Sequence, residues 1–474
     1  MTSRNSTGIT THVGRQLASQ LAPQLSGSVT TDPDVLAAHS SDQSLYSPVG
    51  TPAALVRATT VDDVAATMRF AHGHGIPVVP QGARSGISGG ANAVDGCILL
   101  SVAAMDRILE VDTANMTVTV EPGIINKDLK EALRPHGLAY PPDPGSVAMC
   151  SIGGNIATNA GGMCCVKYGV TREYVRELTV VLADGTVTRL GHRTVKGVAG
   201  LDLAGLFTGS EGTLGVIVGA TLKVVPRGRE PLSALATFPS VRSAAEAVSA
   251  YMATGASPSL LEMMDAATVA MVNDLGDFGL DASVGAVLIM QSDSPTAAGD
   301  TEDFAAVAGA HGAMDVAFAD NPTDSELLVA ARRSAQPAWE HYARAHGGGQ
   351  LLDDVCVPRS RIAEFCDRVG DIGDDTGALV TVIGHAGDGN MHPSVFFDTA
   401  DEASVAAAQD AFDRIMALGL ELGGTITGEH GVGNLKNRWL ATELDAGNRH
   451  LHREIKYAVD PTGVLNPGKM LEHL

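Results

Sequence analysis

The amino-acid sequence predicts an α+β fold with two or three domains. The chain has 474 residues, of which 45% are hydrophobic, and its 54 glycines exceed average usage. This composition is typical of a turn-rich enzyme and argues against disorder. Strand and helix signals follow one another along the chain, and a charged, proline-containing segment at 226–231 predicts a domain boundary.

Short strands and helices are expected before that boundary. Thr60 is placed to cap a helix over 61–75, and Asp184-Gly185 predicts a tight hairpin turn. The other elements expected here are a helix and loop at 33–50, strands at 53–58, 77–80, 97–101, 107–112 and 117–121, a helix at 126–136, a Pro/Gly stretch at 141–162, and hairpin strands at 177–183 and 186–190.

A second α+β region is expected after the boundary. Its most informative part is a hairpin whose turn falls at Asp388-Gly389. The expected elements are a helix at 240–254, a strand at 285–291, a helix at 297–309, a strand region at 313–318, hairpin strands at 378–384 and 391–397, and a helix at 402–421.

The charge balance excludes some functions. With 32 Lys+Arg against 54 Asp+Glu, the net charge of −22 opposes binding to nucleic acid or anionic lipid. No apolar run approaches the roughly 18 residues of a membrane span, and the N-terminus has no signal-type apolar core. We therefore expect a cytoplasmic protein, or one that lies at a membrane only through a partner.

The six cysteines include no CxxC pair. This spacing argues against a zinc ribbon and against an iron–sulfur ligand set. We expect reduced, buried thiols. Electrons removed from a substrate must then leave through a separate acceptor.

Two glycine-punctuated turns carry the strongest chemical signal. His385 and His392 flank the hairpin turn, which can bring both imidazoles to one side, and Glu429-His430 lies in a second such turn. Two imidazoles and a carboxylate are the ligand types that a divalent catalytic metal uses when it keeps positions open for substrate. One histidine would remain for proton transfer, and spacing alone leaves open which of the three it is.

Three glycine-rich loops, at 80–90, 144–162 and 209–215, let main chain approach a ligand closely. Backbone N–H groups of the first loop, directly after a strand, can hold phosphate oxygens. The chain has neither a Walker lysine pattern nor a strand–GxGxxG–helix fingerprint, which counts against ATP and against a nicotinamide domain.

Taken together, these motifs resemble the vanillyl-alcohol-oxidase-like flavoproteins over residues 33–474. The glycine loops match the flavin domain, and the segments 384–393, 428–433 and 460–469 match the branch of glycolate oxidase flavin subunits, D-lactate dehydrogenases and D-2-hydroxyglutarate dehydrogenases. The resemblance implies a two-subdomain FAD-binding domain of PCMH type plus a ferredoxin-like substrate domain, with a C-terminal segment returning to the flavin. The implied ranges are an N-terminal segment 1–50, an FAD-binding domain 51–228, a substrate and metal domain 229–440, and a C-terminal segment 441–474.

The resemblance also implies where FAD binds. Its pyrophosphate would lie in the 80–90 loop, with segment 144–162 beside the isoalloxazine. Relatives that attach FAD covalently often carry a histidine in the first loop, and this chain has none there, so we expect non-covalent FAD. The implied cofactor residues are Pro80, Gln81, Gly82, Ala83, Arg84, Ser85, Gly86, Gly89, Gly90, Pro144, Gly145, Ser146, Ser151, Gly153, Gly154, Asn155, Asn159, Gly161, Gly162, Glu211, Gly212, Gly215 and Asn466.

By the same resemblance, His385, His392 and Glu429 hold a divalent metal, expected to be zinc, and His430 is the base. Arg332 matches an arginine that binds the substrate carboxylate. The implied reaction oxidises a D-2-hydroxy acid to the 2-keto acid, with hydride transfer to flavin N5.

The sequence identifies the substrate and the partners less closely than it identifies the reaction. Relatives that act on hydroxyglutarate carry a lysine near positions 350–353, where this chain has none, so D-lactate or glycolate is favoured. The alternatives are a D-2-hydroxyglutarate dehydrogenase, a non-redox transferase of the same superfamily, and a flavin subunit of a membrane-associated oxidase complex. The acceptor would be an electron-transfer flavoprotein, a quinone, a cytochrome or a dye-like acceptor. A homodimer is compatible with the sequence.

Overall fold

A computed structural model describes residues 14, 16–276, 278–319 and 321–474. They form two compact units, each built from several chain segments. The first unit contains the described residues up to 160 with 170–227 and 429–474, and the second contains 161–169 and 228–428. Residues 429–440, which the sequence assigns to the second domain, pack with the first unit.

One small sheet of the first unit has the strand order β1-β2-β4-β3, in which β2, β4 and β3 are parallel. Val64 and Met68 of helix α2 (Val61–His74) pack on Val56, Val78 and Ile98 of this sheet. The helix cap predicted at Thr60 is confirmed, because its side chain accepts from Asp63 N at 3.1 Å. The strands are β1 Ser28–Thr30, β2 Ala54–Arg57, β3 Val78–Gln81 and β4 Ile98–Ser101.

The second sheet of this unit is antiparallel, with the order β5-β6-β10-β8-β9. The predicted hairpin turn is confirmed: Gly185 has φ +82°, and Asp184 accepts from Thr186 N at 2.8 Å. The strands are β5 Ile108–Asp112, β6 Thr117–Val120, β8 Val175–Val181, β9 Val187–Gly191 and β10 Val216–Lys223, and a separate pair consists of β7 Leu138–Ala139 and β11 Val225–Pro226.

One helix of this unit lies where the sequence indicates only a Pro/Gly stretch. Ser151 starts it by accepting from Gly154 N at 3.3 Å, and Asn159 ends it at φ +52°. The C-terminal segment joins the first sheet, since Asn466 N donates to Val78 O at 2.8 Å. The helices are α1 Pro33–His39, α2, α3 Asn126–Leu133, α4 Ile152–Thr158, α6 Leu203–Phe207, α14 Asn437–Glu443 and α15 Ala446–Val459.

The second unit is built on one antiparallel sheet, which confirms the α+β region that the sequence predicts after residue 231. The strand order is β15-β12-β14-β13-β18-β19-β16, with β17 also paired to β19. The strands are β12 Leu232–Phe238, β13 Leu260–Asp265, β14 Ala286–Ser292, β15 Asp315–Phe318, β16 Gly348–Leu352, β17 Val355–Cys356, β18 Leu379–His385 and β19 Asn390–Asp398.

Helices cover this sheet. Trp339, fully buried, lies in a core with Val269, Ile289 and Phe396. Within the described ranges, no helix combines the length and apolarity needed to cross a membrane. The helices are α5 Cys165–Tyr168, α7 Val241–Ala253, α8 Ala266–Leu275, α9 Ala297–Ala310, α10 Pro322–Arg333, α11 Ala335–Ala345, α12 Ile362–Thr376 and α13 Glu402–Glu421.

Candidate active site

Two buried histidines lie side by side on the β18–β19 hairpin of the second unit. His392 pairs with Ile383 across the ladder, and His385 pairs with Asn390. Paired residues and residues two apart on a strand share a face, so both imidazoles are on the same face of the sheet. Their ring centroids are 5.0 Å apart. The prediction that this hairpin brings the two imidazoles together is confirmed.

The neighbouring strand β13 adds a buried carboxylate, Glu262. Continuing the β13–β18 register places Glu262 opposite His385. Glu262 Oε1 and Oε2 lie 2.8 and 2.9 Å from His385 Nδ1, and Oε2 also lies 2.8 Å from a terminal nitrogen of Arg332. The sequence analysis did not identify Glu262, although an acid inside the apolar run Leu260–Asp265 was an available signal.

Arg332 lies in the last turn of α10 and is only 7% exposed. It is therefore not the solvent-exposed arginine that a helical position most often indicates. Among the described residues, its Nε has no hydrogen-bond partner. A buried guanidinium with an unused donor suits recognition of a carboxylate.

A second buried carboxylate lies near His392. The Nδ1 atom of His392 is 3.8 Å from Asp354 Oδ1 and 3.4 Å from the carbonyl oxygen of Asp353. Asp354 Oδ2 also accepts from Thr427 Oγ1 at 2.6 Å and from Gly428 N at 3.0 Å. The sequence analysis considered Asp353 only as a position without lysine and did not name Asp354. Two adjacent acids before an apolar strand were the available signal.

These surroundings fit a metal site. Metal-ligating histidines characteristically donate their second ring N–H to a carboxylate or a carbonyl, which fixes the tautomer and the ring orientation. His385 has this arrangement with Glu262, and His392 has a longer version with Asp353 and Asp354. Two such imidazoles are donors of the kind that zinc uses.

Glu429 and His430 belong to the first unit, where a Glu429 carboxylate oxygen lies 3.8 Å from His430 Nε2. The turn that carries them is held by Glu211, whose two carboxylate oxygens accept from Val432 N and Gly433 N, each at 2.7 Å. Ser88 O accepts from the next two N–H groups, at 3.1 Å. Glu211 therefore anchors the His430 turn, a role that the sequence analysis did not assign to it.

A buried cation lies near Glu211. Lys469 donates to Asn92 O at 2.8 Å and is 1% exposed. Burial lowers its pKa to about 8, although Asp42, Cys97 and Glu211 act in the opposite direction. Burial also raises the pKa of Glu211. The hydrogen bonds from Val432 N and Gly433 N and the charge of Lys469 act in the opposite direction and lower this pKa.

The first two glycine loops meet in the first unit. Ala83 N donates to Ser151 Oγ at 3.3 Å, and a Cβ on Gly82 would lie 2.4 Å from that oxygen. Residues 82–87 are half-exposed, whereas Gln81 before them is buried and bonded to His39 O and Ala91 O at 2.8 and 2.9 Å. An anchored, half-open glycine loop fits a phosphate-containing cofactor held by main-chain N–H groups.

Several residues expected at the cofactor use their side chains to support these loops. Arg84, at φ +58°, donates to the carbonyls of Ala38 and Ser41 at 2.8 and 3.1 Å. Asn466 donates to Gly90 O at 3.0 Å and to Glu211 O at 2.7 Å. Asn155 accepts from Asn126 at 3.0 Å, and Asn159 accepts from Arg172 N at 2.9 Å.

The expected cofactor residues Gly161 and Gly162 fall in the second unit, in the segment 161–169. Val166 of this segment packs against the His385 hairpin, since a Cβ on Gly387 would lie 2.6 Å from it. Lys167 and Tyr168 both contact the carboxylate of Asp293. The sequence alone did not indicate that this short segment packs with the histidine hairpin.

Comparison with known proteins identifies two successive matching regions of this chain. The family model described as "FAD binding domain" matches residues 52–191, and the model "FAD linked oxidases, C-terminal domain" matches residues 229–470. Glycolate oxidase subunit GlcD of Bacillus subtilis (strain 168) is 38% identical over 88% of this chain and 89% of its own length. D-lactate dehydrogenase [cytochrome], mitochondrial, of Arabidopsis thaliana is 34% identical over 97% of this chain and 80% of its own length.

Solved structures agree on the fold. p-Cresol methylhydroxylase with substrate bound gives a TM-score of 0.79 at 17% identity, over 99% of this chain and 97% of that chain. 4-Ethylphenol oxidase from Gulosibacter chungangensis gives a TM-score of 0.76 at 19% identity, over 99% of this chain and 98% of that chain. The two-subdomain flavoprotein architecture expected from the sequence is confirmed.

Proposed function

The chain belongs to the family of FAD-linked oxidases, and on that premise we propose that it oxidises a D-2-hydroxy acid, D-lactate or glycolate, to the 2-keto acid. Its relatives are named as a glycolate oxidase subunit and a D-lactate dehydrogenase, and glycolate and D-lactate are both 2-hydroxy acids. The observation that carries the proposal is the cluster of Arg332, Glu262 and His385. It places a carboxylate-binding cation next to a metal-type imidazole, and a 2-hydroxy acid has a carboxylate and a hydroxyl on adjacent carbons.

The glycine loops of the first unit would hold FAD, with the pyrophosphate in the 80–90 loop. The contact of Ser151 with Ala83 supports this role, because it fixes one loop against the next. When bound, FAD supplies the acceptor for the hydrogen and two electrons that leave C2. The covalent loop histidine of some relatives is absent, so the cofactor is held non-covalently.

A divalent metal, zinc, is held by His385, His392 and Glu429. Glu262 supports this assignment by its hydrogen bond to His385 Nδ1 at 2.8 Å, and Asp354 lies 3.8 Å from His392 Nδ1. Asp354 also accepts a hydrogen bond from the N–H of Gly428. Gly428 directly precedes the proposed third ligand, Glu429, in the chain. The metal supplies the positive charge that acidifies the substrate hydroxyl.

Arg332 binds the substrate carboxylate, and its Nε provides a donor beyond the one engaged with Glu262. His430 takes the hydroxyl proton on a ring nitrogen as C2 becomes a carbonyl carbon. The clamp of Glu211 on Val432 and Gly433 holds the turn that carries this base.

The remainder of the substrate is small. Gln350 on β16 donates to Ser394 at 2.8 Å, Leu351 is buried, and Asp353 and Asp354 are fully buried acids. These residues supply no cation for a second carboxylate, so D-lactate and glycolate are preferred over D-2-hydroxyglutarate.

The electron acceptor is a separate electron-transfer flavoprotein, quinone or cytochrome, because the cysteine spacing provides no iron–sulfur ligands. The cysteine spacing favours reduced thiols and therefore a reducing, cytoplasmic environment.

An anaerobic screen tests the proposal. The purified protein is mixed with D- and L-lactate, glycolate, and D- and L-2-hydroxyglutarate, and flavin absorbance is followed. D-lactate or glycolate should bleach the flavin with the highest kcat/KM. If no 2-hydroxy acid bleaches it, the proposed function is wrong. If D-2-hydroxyglutarate is preferred, only the assignment of a monocarboxylate substrate is wrong.

A further inference from the structure

Glu262 is shared between two groups with different proposed roles. Its Oε2 atom lies 2.8 Å from Arg332 and 2.9 Å from His385 Nδ1, so the guanidinium and the imidazole are held by the same oxygen atom. Glu262 is 1% exposed and lies in the centre of the sheet, on β13 between β14 and β18. A strand position of this kind allows little movement of the carboxylate.

Arg332 and His385 come from different elements, and Glu262 is the observed link between their side chains. Arg332 lies in the last turn of helix α10, whereas His385 ends strand β18. A buried arginine needs a counter-charge, because an unpaired charge away from water is strongly unfavourable. The same carboxylate orients the N–H of His385, as carboxylates do for metal-bound histidines. Replacing Glu262 would therefore release both groups at once.

We propose that Glu262 is a positioning residue that fixes the spacing between the carboxylate-binding Arg332 and the metal-binding His385, and thereby selects 2-hydroxy over 3-hydroxy acids. This inference rests on the function proposed above. In a 2-hydroxy acid the hydroxyl carbon is bonded directly to the carboxylate carbon, so arginine and metal must be close together. In a 3-hydroxy acid one more carbon separates the two groups, and a fixed pair of binding groups disfavours it.

The test compares three variants. Glu262→Gln removes the charge and replaces one oxygen by an amide nitrogen, which cannot accept from Arg332 or from the His385 N–H. Glu262→Asp keeps the charge on a side chain that is shorter by one carbon. The control is Asp265→Asn, since Asp265 is a half-buried carboxylate at the end of the same strand and accepts from Thr268 N at 2.8 Å and Val382 N at 2.7 Å.

Three quantities are measured for each purified holoprotein that retains FAD. They are the zinc dissociation constant by chelator competition, kcat and KM for D-lactate, and the ratio of kcat/KM for D-lactate to that for D-3-hydroxybutyrate. Glu262→Gln should weaken zinc binding by about 10- to 100-fold, raise KM for D-lactate and lower the ratio. Glu262→Asp should recover part of the zinc affinity. Asp265→Asn should lower the free energy of unfolding, while its zinc affinity and its ratio of the two kcat/KM values stay equal to those of the parent protein.

The outcomes separate the two proposals. If the parent enzyme is not reduced by any 2-hydroxy acid, the proposed function fails, and the inference about Glu262 fails with it. If the parent is active and both folded Glu262 variants keep its zinc affinity and its ratio, only the inference is overturned. If Glu262→Gln does not fold, Glu262→Asp decides: a lowered ratio supports the inference, and a parent-like ratio overturns it.

Discussion

Three buried carboxylates hold the functional segments at the level of single residues. Glu262 contacts Arg332 and His385, Asp354 contacts residues 427 and 428, and Glu211 accepts from two N–H groups of the His430 turn. Removing one partner of a buried hydrogen bond leaves the other unsatisfied, at a typical cost of about 1–3 kcal/mol. We propose that these acids position the segments to which the chemistry is assigned.

Arg332→Ala should have two separate effects. It removes the charged donor for the substrate carboxylate, which is worth about 1.5–3 kcal/mol of binding, so KM for D-lactate should rise by more than tenfold. It also leaves Glu262 buried without its cation, which should lower the free energy of unfolding by about 3–5 kcal/mol. Arg332→Lys should restore most of the stability but only part of the KM, because an ammonium lacks the planar fork.

Flavin-reduction kinetics and denaturant unfolding of the two Arg332 variants separate these effects. FAD content should match that of the parent protein. An unchanged KM for D-lactate in Arg332→Ala would place the carboxylate-binding group elsewhere.

Lys469 should make stability depend on pH. Its folded-state pKa is about 8 and its ordinary value is 10.5, so between these values the unfolded chain binds more protons and the folded state gains stability as pH rises. Relative to Lys469→Met, the free energy of unfolding of the parent should increase from pH 8 to 10.5 by up to about 3 kcal/mol. Urea unfolding of both proteins at several pH values measures this difference. A difference that stays constant with pH would show that Lys469 is not deprotonated in the folded state.

At the level of secondary-structure elements, strong local signals located much of the fold. Capping at Thr60, the Asp184-Gly185 turn and the hairpin around Asp388-Gly389 are set by nearby residues, and all three were predicted. Helix α4 was missed because its glycines conceal helical character, and Ser151 supplies the cap that starts it.

The pairing of the two histidines was predicted because they are close in sequence, whereas Glu262 was missed because it is not. His385 and His392 share one hairpin. Glu262 lies 123 positions before His385, and strand order alone brings the two together. The segment 161–169 joins the second unit for the same reason, through contacts between residues distant in the chain.

The β18–β19 hairpin should bind metal independently of the flavin. His385→Ala removes one proposed ligand in the second unit, whereas the glycine loops around Gly82 and Ser151 are in the first. The variant should lose zinc and most turnover while retaining FAD. Metal analysis measures the zinc content and the flavin absorbance spectrum measures the FAD content, with Asp265→Asn as a folded control. Full activity in the presence of chelator would contradict the metal assignment.

At the level of the whole molecule, the chain passes between its two units at residues 160–161, 169–170, 227–228 and 428–429. The glycine loops at 80–90 and 209–215 therefore belong to the first unit, whereas the histidine hairpin and the end of the 144–162 loop belong to the second. The last crossing falls between Gly428 and Glu429, within the motif that the sequence analysis treats as one metal and base segment. With a net charge of −22, the protein repels an anionic substrate at long range, so binding must depend on a local group such as Arg332.

FAD should be held by the folded protein without a covalent bond. The first glycine loop contains no histidine, and the guanidinium of its Arg84 donates to the carbonyls of Ala38 and Ser41. Since the loops of the first unit bind through main-chain shape, unfolding should release the entire cofactor. The purified protein should be yellow, and acid precipitation should leave all flavin in the supernatant and none on the polypeptide. Flavin fluorescence that remains with the denatured chain on a gel would show a covalent link through a residue outside this loop.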